Sequence, residues 1–207
     1  MVHYKLTYFD ARGIAEPARQ LFHLAGVEYE DDRFGKEEWP ERQPKTPFGK
    51  VPVLTVDGLE IGQSSAIIRY LARKYGYAGK TAEEEALVDA ITDQYKDFFA
   101  VFIQWTRKFF FGAPQAELDK IRAEIVNPAR DEYLRILNKT LENNKSGYLV
   151  GDGLTWADLV VADNLVSLAK HGYYQPDKEP RLAKFHAKIN ETPKLKEYLA
   201  ARKDYIL

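Results

Sequence analysis

Two short stretches carry groups able to hold a ligand. The first is Val51-Pro52, at the start of the β-branched, apolar run Val51 to Val56. Proline has no N–H, so it suits a strand start or an edge, and an X–Pro bond at such a turn has ready access to the cis form. Val51 then keeps main-chain N–H and C=O groups that can pair with an extended peptide as an added strand. The second is Gln63-Ser64-Ser65, which opens a helical pattern. Orphan N–H groups and the helix dipole favour a carboxylate there, although Ser64 also suits the plainer use of an N-cap. Together, a pairing edge and an anion nest describe a site for a small acidic peptide.

Composition removes several other chemistries. The 207 residues carry a formal charge of −1 and contain no cysteine. No bulk attraction to nucleic acid or to an anionic membrane is expected, and no apolar run is long enough to span a bilayer. The chain has no disulfide, thiolate metal site or thiol nucleophile of its own. His3, His23, His171 and His186 lack metal-ligand spacing. Met1-Val-His-Tyr-Lys does not read as a signal peptide, and the cytoplasm is the expected compartment.

The elements that position these stretches follow from periodicity. Tyr4 to Phe9 alternates as a strand. Ile14 to Ala25 is a helix ended by Gly26, and Val27 to Phe34 is a second strand. Lys36 to Arg42 is a short helix. Val51 to Val56 and Leu59 to Ile61 form a hairpin across Asp57-Gly58, whose residues tolerate positive φ, and the Ser64 helix stops at Gly76. The order βαβαββα predicts a thioredoxin-like α/β domain over residues 1–79.

Strand signals then nearly vanish, which predicts an all-α domain over residues 81–207. Its spine starts at the capping box Thr81 to Glu84, carries Leu87, Ile91, Gln94, Phe98, Phe102 and Trp105 on one face, and runs to Phe111. Asn127-Pro128 predicts a kink or break in the next helical stretch. Thr155 and Asp158 form a second capping pair, stapled by Leu154 and Leu159, so Asp158 reads as structural. Further helices are expected near Pro180 to Asn190 and Pro193 to Ala200.

A thioredoxin-like domain without cysteine needs its thiol to arrive with the ligand, and a small peptide with free carboxylates and a thiol describes glutathione. The chain resembles a glutathione transferase along nearly its whole length. The likeness rests on Lys5-Leu-Thr-Tyr-Phe9, Arg12-Gly13, Trp39-Pro40, Pro47-Phe-Gly-Lys-Val-Pro-Val-Leu54, Gly62-Gln-Ser-Ser-Ala-Ile-Ile-Arg-Tyr-Leu71 and Thr155-Trp-Ala-Asp158. Within the family it is similar to the sigma class, which includes nematode enzymes and a haematopoietic prostaglandin D synthase.

That resemblance implies roles. Tyr8 would hydrogen-bond the glutathione sulfur. Val51, before Pro52, would pair with the cysteinyl main chain. Gln63 and Ser64 would hold the γ-glutamyl carboxylate, and Trp39 and Lys50 the glycyl end. Gln43 and Gly49 complete this glutathione-binding set. Asp97 would reach the γ-glutamyl amine of a partner subunit's ligand, which implies a homodimer. Phe48 stands where related classes insert an aromatic side chain into the other subunit; packing within its own domain is the alternative.

The electrophile's wall would include Phe9, Gly13, Ile14, Phe99, Trp105 and Leu207, in an apolar cleft expected between the domains. Ordinary core packing is the other use for Phe99 and Trp105. Two positions depart from the sigma pattern: Ile14 stands where arginine is common, and Gln43 where lysine is common. The implied activity is conjugation of glutathione to small hydrophobic electrophiles, with glutathione peroxidase activity as a further option and no cofactor beyond the co-substrate. A prostaglandin D synthase-type isomerase and a crystallin-like binding protein are the rival readings.

Overall fold

Tyr4 and Leu6 bury one face of β1 (Tyr4–Phe9), the strand about which the first half of the chain is built. In the computed structural model, which describes residues 2–205, β1 pairs in parallel with β2 (Glu30–Phe34) and antiparallel with β3 (Val53–Val56). β3 turns through Asp57-Gly58 into β4 (Leu59–Gly62), giving the sheet order β2-β1-β3-β4. Asp57 and Gly58 have φ of 47° and 90°, the two positive values that a two-residue hairpin demands. Gly13–Ala15 is a single 3-10 turn leading into α1 (Glu16–Ala25), and Gly26, at φ 66°, ends that helix. α2 (Trp39–Arg42) is one turn long, while α3 (Ser64–Tyr75) packs beside α1. The strands at Glu30 and Val53 start later than the apolar runs at Val27 and Val51 suggest, because pairing with β1 begins only there.

The helical half begins with α4 (Ala82–Phe110). Thr81 accepts a hydrogen bond from the Glu84 N–H at 3.2 Å, but the Glu84 carboxylate takes the Lys80 N–H rather than that of Thr81. The buried face of α4 runs through Val88, Thr92, Phe98, Phe102 and Trp105, and Leu87 is exposed, so the apolar stripe starts one residue later than expected. α5 (Gln115–Ile121) passes through a π-helical turn, Arg122–Val126, into α6 (Asn127–Asn143). This is the physical form of the expected break. Pro128 has no N–H to return to the preceding turn, and the Asn127 N–H reaches back five residues to the Arg122 carbonyl. α7 (Trp156–Lys170) is buried nearly throughout, and α8 (Pro180–Asn190) and α9 (Pro193–Ala201) follow. The architecture is the expected α/β thioredoxin-like domain plus an all-α domain.

Compactness divides the chain differently from the 1–79 and 81–207 split. One unit holds the residues up to Ala78 together with those from Ile189 onward; the other holds Gly79–Lys188. The reason lies on α9, whose Tyr198 ring stacks on His23 with centroids 4.2 Å apart and whose Lys194 donates to the Leu24 carbonyl of α1. Among the described residues no helix is long and apolar enough to cross a membrane.

Candidate active site

Tyr8 lies at the C-terminal end of β1, half-buried, with its ring 5.7 Å from that of Phe9. Burial pushes its phenol above the usual range, while a hydrogen bond from the main chain at Ile14 and the nearby Arg19 charge pull it the other way. The hydroxyl therefore keeps its proton at neutral pH and acts as a donor. The 3-10 turn before α1 is shaped around it. A Cβ on Gly13 would sit 2.5 Å from the Tyr8 hydroxyl oxygen, and Gly13 has φ of 47°. Gly13, expected in the electrophile wall, thus gives Tyr8 its space.

The second part of the site is the β3 junction. The Val51–Pro52 bond is cis, and Val51 stands two residues ahead of Val53, where pairing with β1 begins. The third part is the start of α3. Gln63 precedes the helix with φ of 70° and ψ of 114°, a conformation that side-chain-bearing residues rarely adopt, and no side chain caps the helix. Ser64 occupies the first helical position, so it does not serve as the N-cap. Strain in a non-glycine residue beside uncapped N–H groups marks a place where the main chain is committed to something other than its own stability.

The residues assigned to the glycyl end have local uses as well. Trp39 is half-buried against Phe34 and Phe9, with centroids at 6.0 and 5.4 Å. Gln43 donates from its side-chain amide to the Gly49 carbonyl at 3.2 Å, fixing the loop in which Gly49 has φ of 62°. Lys50 is exposed. Phe48 leans on the hairpin, where a Cβ on Gly62 would meet its ring at 2.6 Å, yet it remains 62% exposed.

On the helical unit, Asp97 is exposed and accepts from Gln94 at 3.3 Å. Phe99 is half-buried with its ring 5.5 Å from Tyr95. Trp105 is 5% exposed and packs among Phe102, Phe109, His171 and Tyr173, so the core-packing use holds for this ring. Phe9 and Ile14 are half-buried beside Tyr8 in sequence and space. Leu207 lies outside the described residues. Among those residues, no group of three or more His, Cys, Asp or Glu side chains could hold a metal ion.

Residues 4–73 match the glutathione S-transferase N-terminal domain, and residues 100–202 match the C-terminal domain of the same enzymes. Glutathione S-transferase 4 of Caenorhabditis elegans is 54% identical over the full length of both chains. The chain belongs to the glutathione S-transferase family. As a member it is an enzyme that conjugates glutathione to electrophiles. A Nu-class transferase from Haemonchus contortus is 47% identical, covers all of both chains and superposes with a TM-score of 0.88. The monomeric Na-GST-3 of the hookworm Necator americanus is 45% identical over 99% of this chain and all of its own, with a TM-score of 0.92.

These matches correct the class. The similar transferases are nematode enzymes, one of them Nu-class, and they do not single out the sigma class.

Sequence reasoning missed one set of residues close to Tyr8. Arg12, Glu16 and Arg19 are all buried, and the Arg19 guanidinium carbon lies 5.9 Å from the Tyr8 ring centroid. Charged side chains between apolar ones on an amphipathic helix read as a solvated face. The available clue was Arg12-Gly-Ile-Ala-Glu16-Pro-Ala-Arg19 itself, where Glu16 and Arg19 stand three apart at a helix start.

Proposed function

We propose that this transferase uses Tyr8 to hold the thiolate of bound glutathione, which attacks small hydrophobic electrophiles. The observation that carries the reading is the Tyr8 hydroxyl at the end of β1, a phenol enclosed by the Gly13-Ile14 turn. A free thiol has a pKa near ~8.5, and lowering it by about two units takes roughly 2.7 kcal/mol of preference for the thiolate. One hydrogen bond to a charged group supplies about 1.5–3 kcal/mol, so a single phenol donor is close to sufficient. In the proposed pose, Val51 ahead of cis-Pro52 pairs with the cysteinyl main chain. The uncapped start of α3 at Gln63 and Ser64 takes the γ-glutamyl carboxylate. Gly49, Lys50 and Trp39 take the glycyl end, with Gln43 bracing Gly49. Phe9 supplies the apolar surface beside the sulfur.

The experiment is Tyr8→Phe against a panel of electrophiles and hydroperoxides with glutathione. Conjugation is expected to fall ~10–100-fold, about 1.4–2.7 kcal/mol, with glutathione affinity nearly intact. Unchanged turnover together with unchanged thiolate absorbance at neutral pH would refute the assignment. The same panel compares conjugation with hydroperoxide reduction.

For the assembly, a two-fold homodimer is the arrangement that gives Asp97 a γ-glutamyl ammonium to read. The exposed Phe48 ring supports it, and the monomeric hookworm relative makes it a point to measure. The expected location is the cytoplasm, to be checked by tagging the chain in a nematode cell.

A further inference from the structure

Arg19 is a fully buried cation whose hydrogen bonds are almost all directed away from solvent. Its Nη1 donates to the Ala11 and Arg12 carbonyls at 2.9 and 3.2 Å and to Glu16 at 3.1 Å, and its Nε donates to Asp31 at 3.1 Å. Nη2 is buried with no acceptor among the described residues. The guanidinium lies over the Tyr8 ring at 5.9 Å. Glu16, equally buried, is shared: its other oxygen accepts from Arg202 at 2.6 Å and from the Tyr198 hydroxyl at 2.8 Å. Position 14, where a basic residue would stand nearest the hydroxyl, holds isoleucine.

We propose that Arg19 is a positioning residue of the reaction, a buried cation beneath the Tyr8 ring whose field favours negative charge at the phenol oxygen and on the sulfur bonded to it. Its charge is in turn metered by Glu16. The proposal rests on the reading of Tyr8 as the sulfur's hydrogen-bond donor.

The charged groups around Tyr8 decide the net sign. Arg19 and Glu16 face it from α1, and Arg12 from the preceding turn. Asp31 and Arg33 stand on β2, where Arg33 is in register with Tyr8; Arg33 is bonded to Asp31 and to Tyr205. Asp10, at the strand end, is paired with Tyr205 and Lys203. Glu16 is countered by Arg202, so the Arg19 charge is only partly offset at the ring. At an effective dielectric of about 20, a unit charge within roughly 8 Å shifts an anion's pKa by about one to two units, and the partial offset reduces this to about one.

The test is the pH dependence of the bound thiol in the glutathione complex, followed by thiolate absorbance, with kcat/KM profiles alongside. Folding is checked by thermal unfolding, and the integrity of the site by affinity for S-methylglutathione, which has no thiol to ionise. Arg19→Gln is expected to raise the thiol pKa by about one unit and to lower kcat/KM at pH 6.5 by about fivefold, leaving S-methylglutathione affinity within about threefold. Arg19→Lys, which keeps the charge, should recover most of the loss. Glu16→Gln removes the opposing charge with little change of shape, and is expected to move the pKa down by about half a unit, the opposite direction.

If Arg19→Gln does not fold, the Glu16→Gln direction decides. A folded variant of either kind whose thiol pKa is unmoved, or shifted the other way, overturns the proposal. Tyr8→Phe is run in parallel. If it leaves the pKa unmoved, the Tyr8 reading fails and this proposal with it. If it moves the pKa while Arg19→Gln and Glu16→Gln do not, only the role of Arg19 falls.

Discussion

Asp158 offers a test in which two named effects oppose each other. Its side chain is fully buried at the start of α7. Oδ1 accepts from the Leu149 N–H at 2.8 Å, and Oδ2 accepts from the Thr155 N–H at 2.7 Å and the Thr155 hydroxyl at 2.9 Å. These donors favour the carboxylate. Burial favours the acid and wins, so the carboxyl is pushed up to about 6 from 3.8. The native state therefore binds this proton more tightly than the unfolded chain does. The stabilisation is complete below pH ~3.8, is lost as pH rises through about 6, and amounts to about 3 kcal/mol at 1.36 kcal/mol per unit.

Asp158→Asn cannot titrate, so the test compares its urea unfolding with that of the native chain from pH 4 to pH 7.5. The native chain's advantage over this variant is expected to shrink by about 2.4 kcal/mol across that range. It should stay positive at neutral pH. An amide offers one acceptor oxygen, so either the Leu149 or the Thr155 N–H is left buried without a partner, a cost of about 1–3 kcal/mol. Asp158→Ala leaves both unpartnered and should cost about 2–5 kcal/mol. An advantage that is flat or grows with pH would show that the three donors outweigh burial, and would refute the sign argued here.

Four shorter predictions accompany it. Gly13→Ala should lower conjugation at least ~10-fold, about 1.4 kcal/mol, because its Cβ would displace the Tyr8 hydroxyl; unchanged kinetics would mean the turn relaxes freely. Gln63→Gly should stabilise the fold by about 1 kcal/mol by relieving the positive φ, while glutathione affinity falls; equal affinity would argue against a ligand role for the side chain. Asp97→Ala should weaken glutathione by about 1–2 kcal/mol and a desamino analogue much less, measured by calorimetry, and equal losses would exclude a role in reading the ammonium. Phe48→Asp should shift sedimentation towards the monomer at micromolar concentration; an unaltered sedimentation coefficient would indicate that the ring packs only on its own hairpin.

The parts of the site that were legible in the sequence are those governed by local rules. Proline ahead of a strand, Asp57-Gly58 between β-branched runs, and Thr155 three residues ahead of Asp158 each specify their geometry within a few residues; β1 and α7 formed where those rules put them, and the hairpin turned at Asp57-Gly58 although β3 starts only at Val53. The chemistry beneath Tyr8 was not legible. Nothing local distinguishes Glu16 and Arg19 from a surface ion pair three apart on a helix. They are buried because α9 returns from the other end of the sequence to cover α1, bringing Tyr198 and Arg202 onto Glu16. The same return moved the unit boundary, since a helix selected for its contacts with α1 belongs with α1 however late it occurs in the chain.

The class assignment failed for a related reason. The sigma likeness rests on residues that the resemblance assigns to the co-substrate's main chain and carboxylates, and those requirements are common to any fold that takes glutathione as an added strand. Position 14 holds isoleucine, and the buried Arg19 lies against the face of the Tyr8 ring. A cation in the sheet–helix interior cannot reorient towards substrate. In the proposed role Arg19 would act as a fixed field of the preorganised kind, with no reorganisation needed when the thiolate forms. An enzyme built this way should tolerate electrophiles of varied shape beside its sulfur, because the group that favours the thiolate takes up no room in the place where they bind.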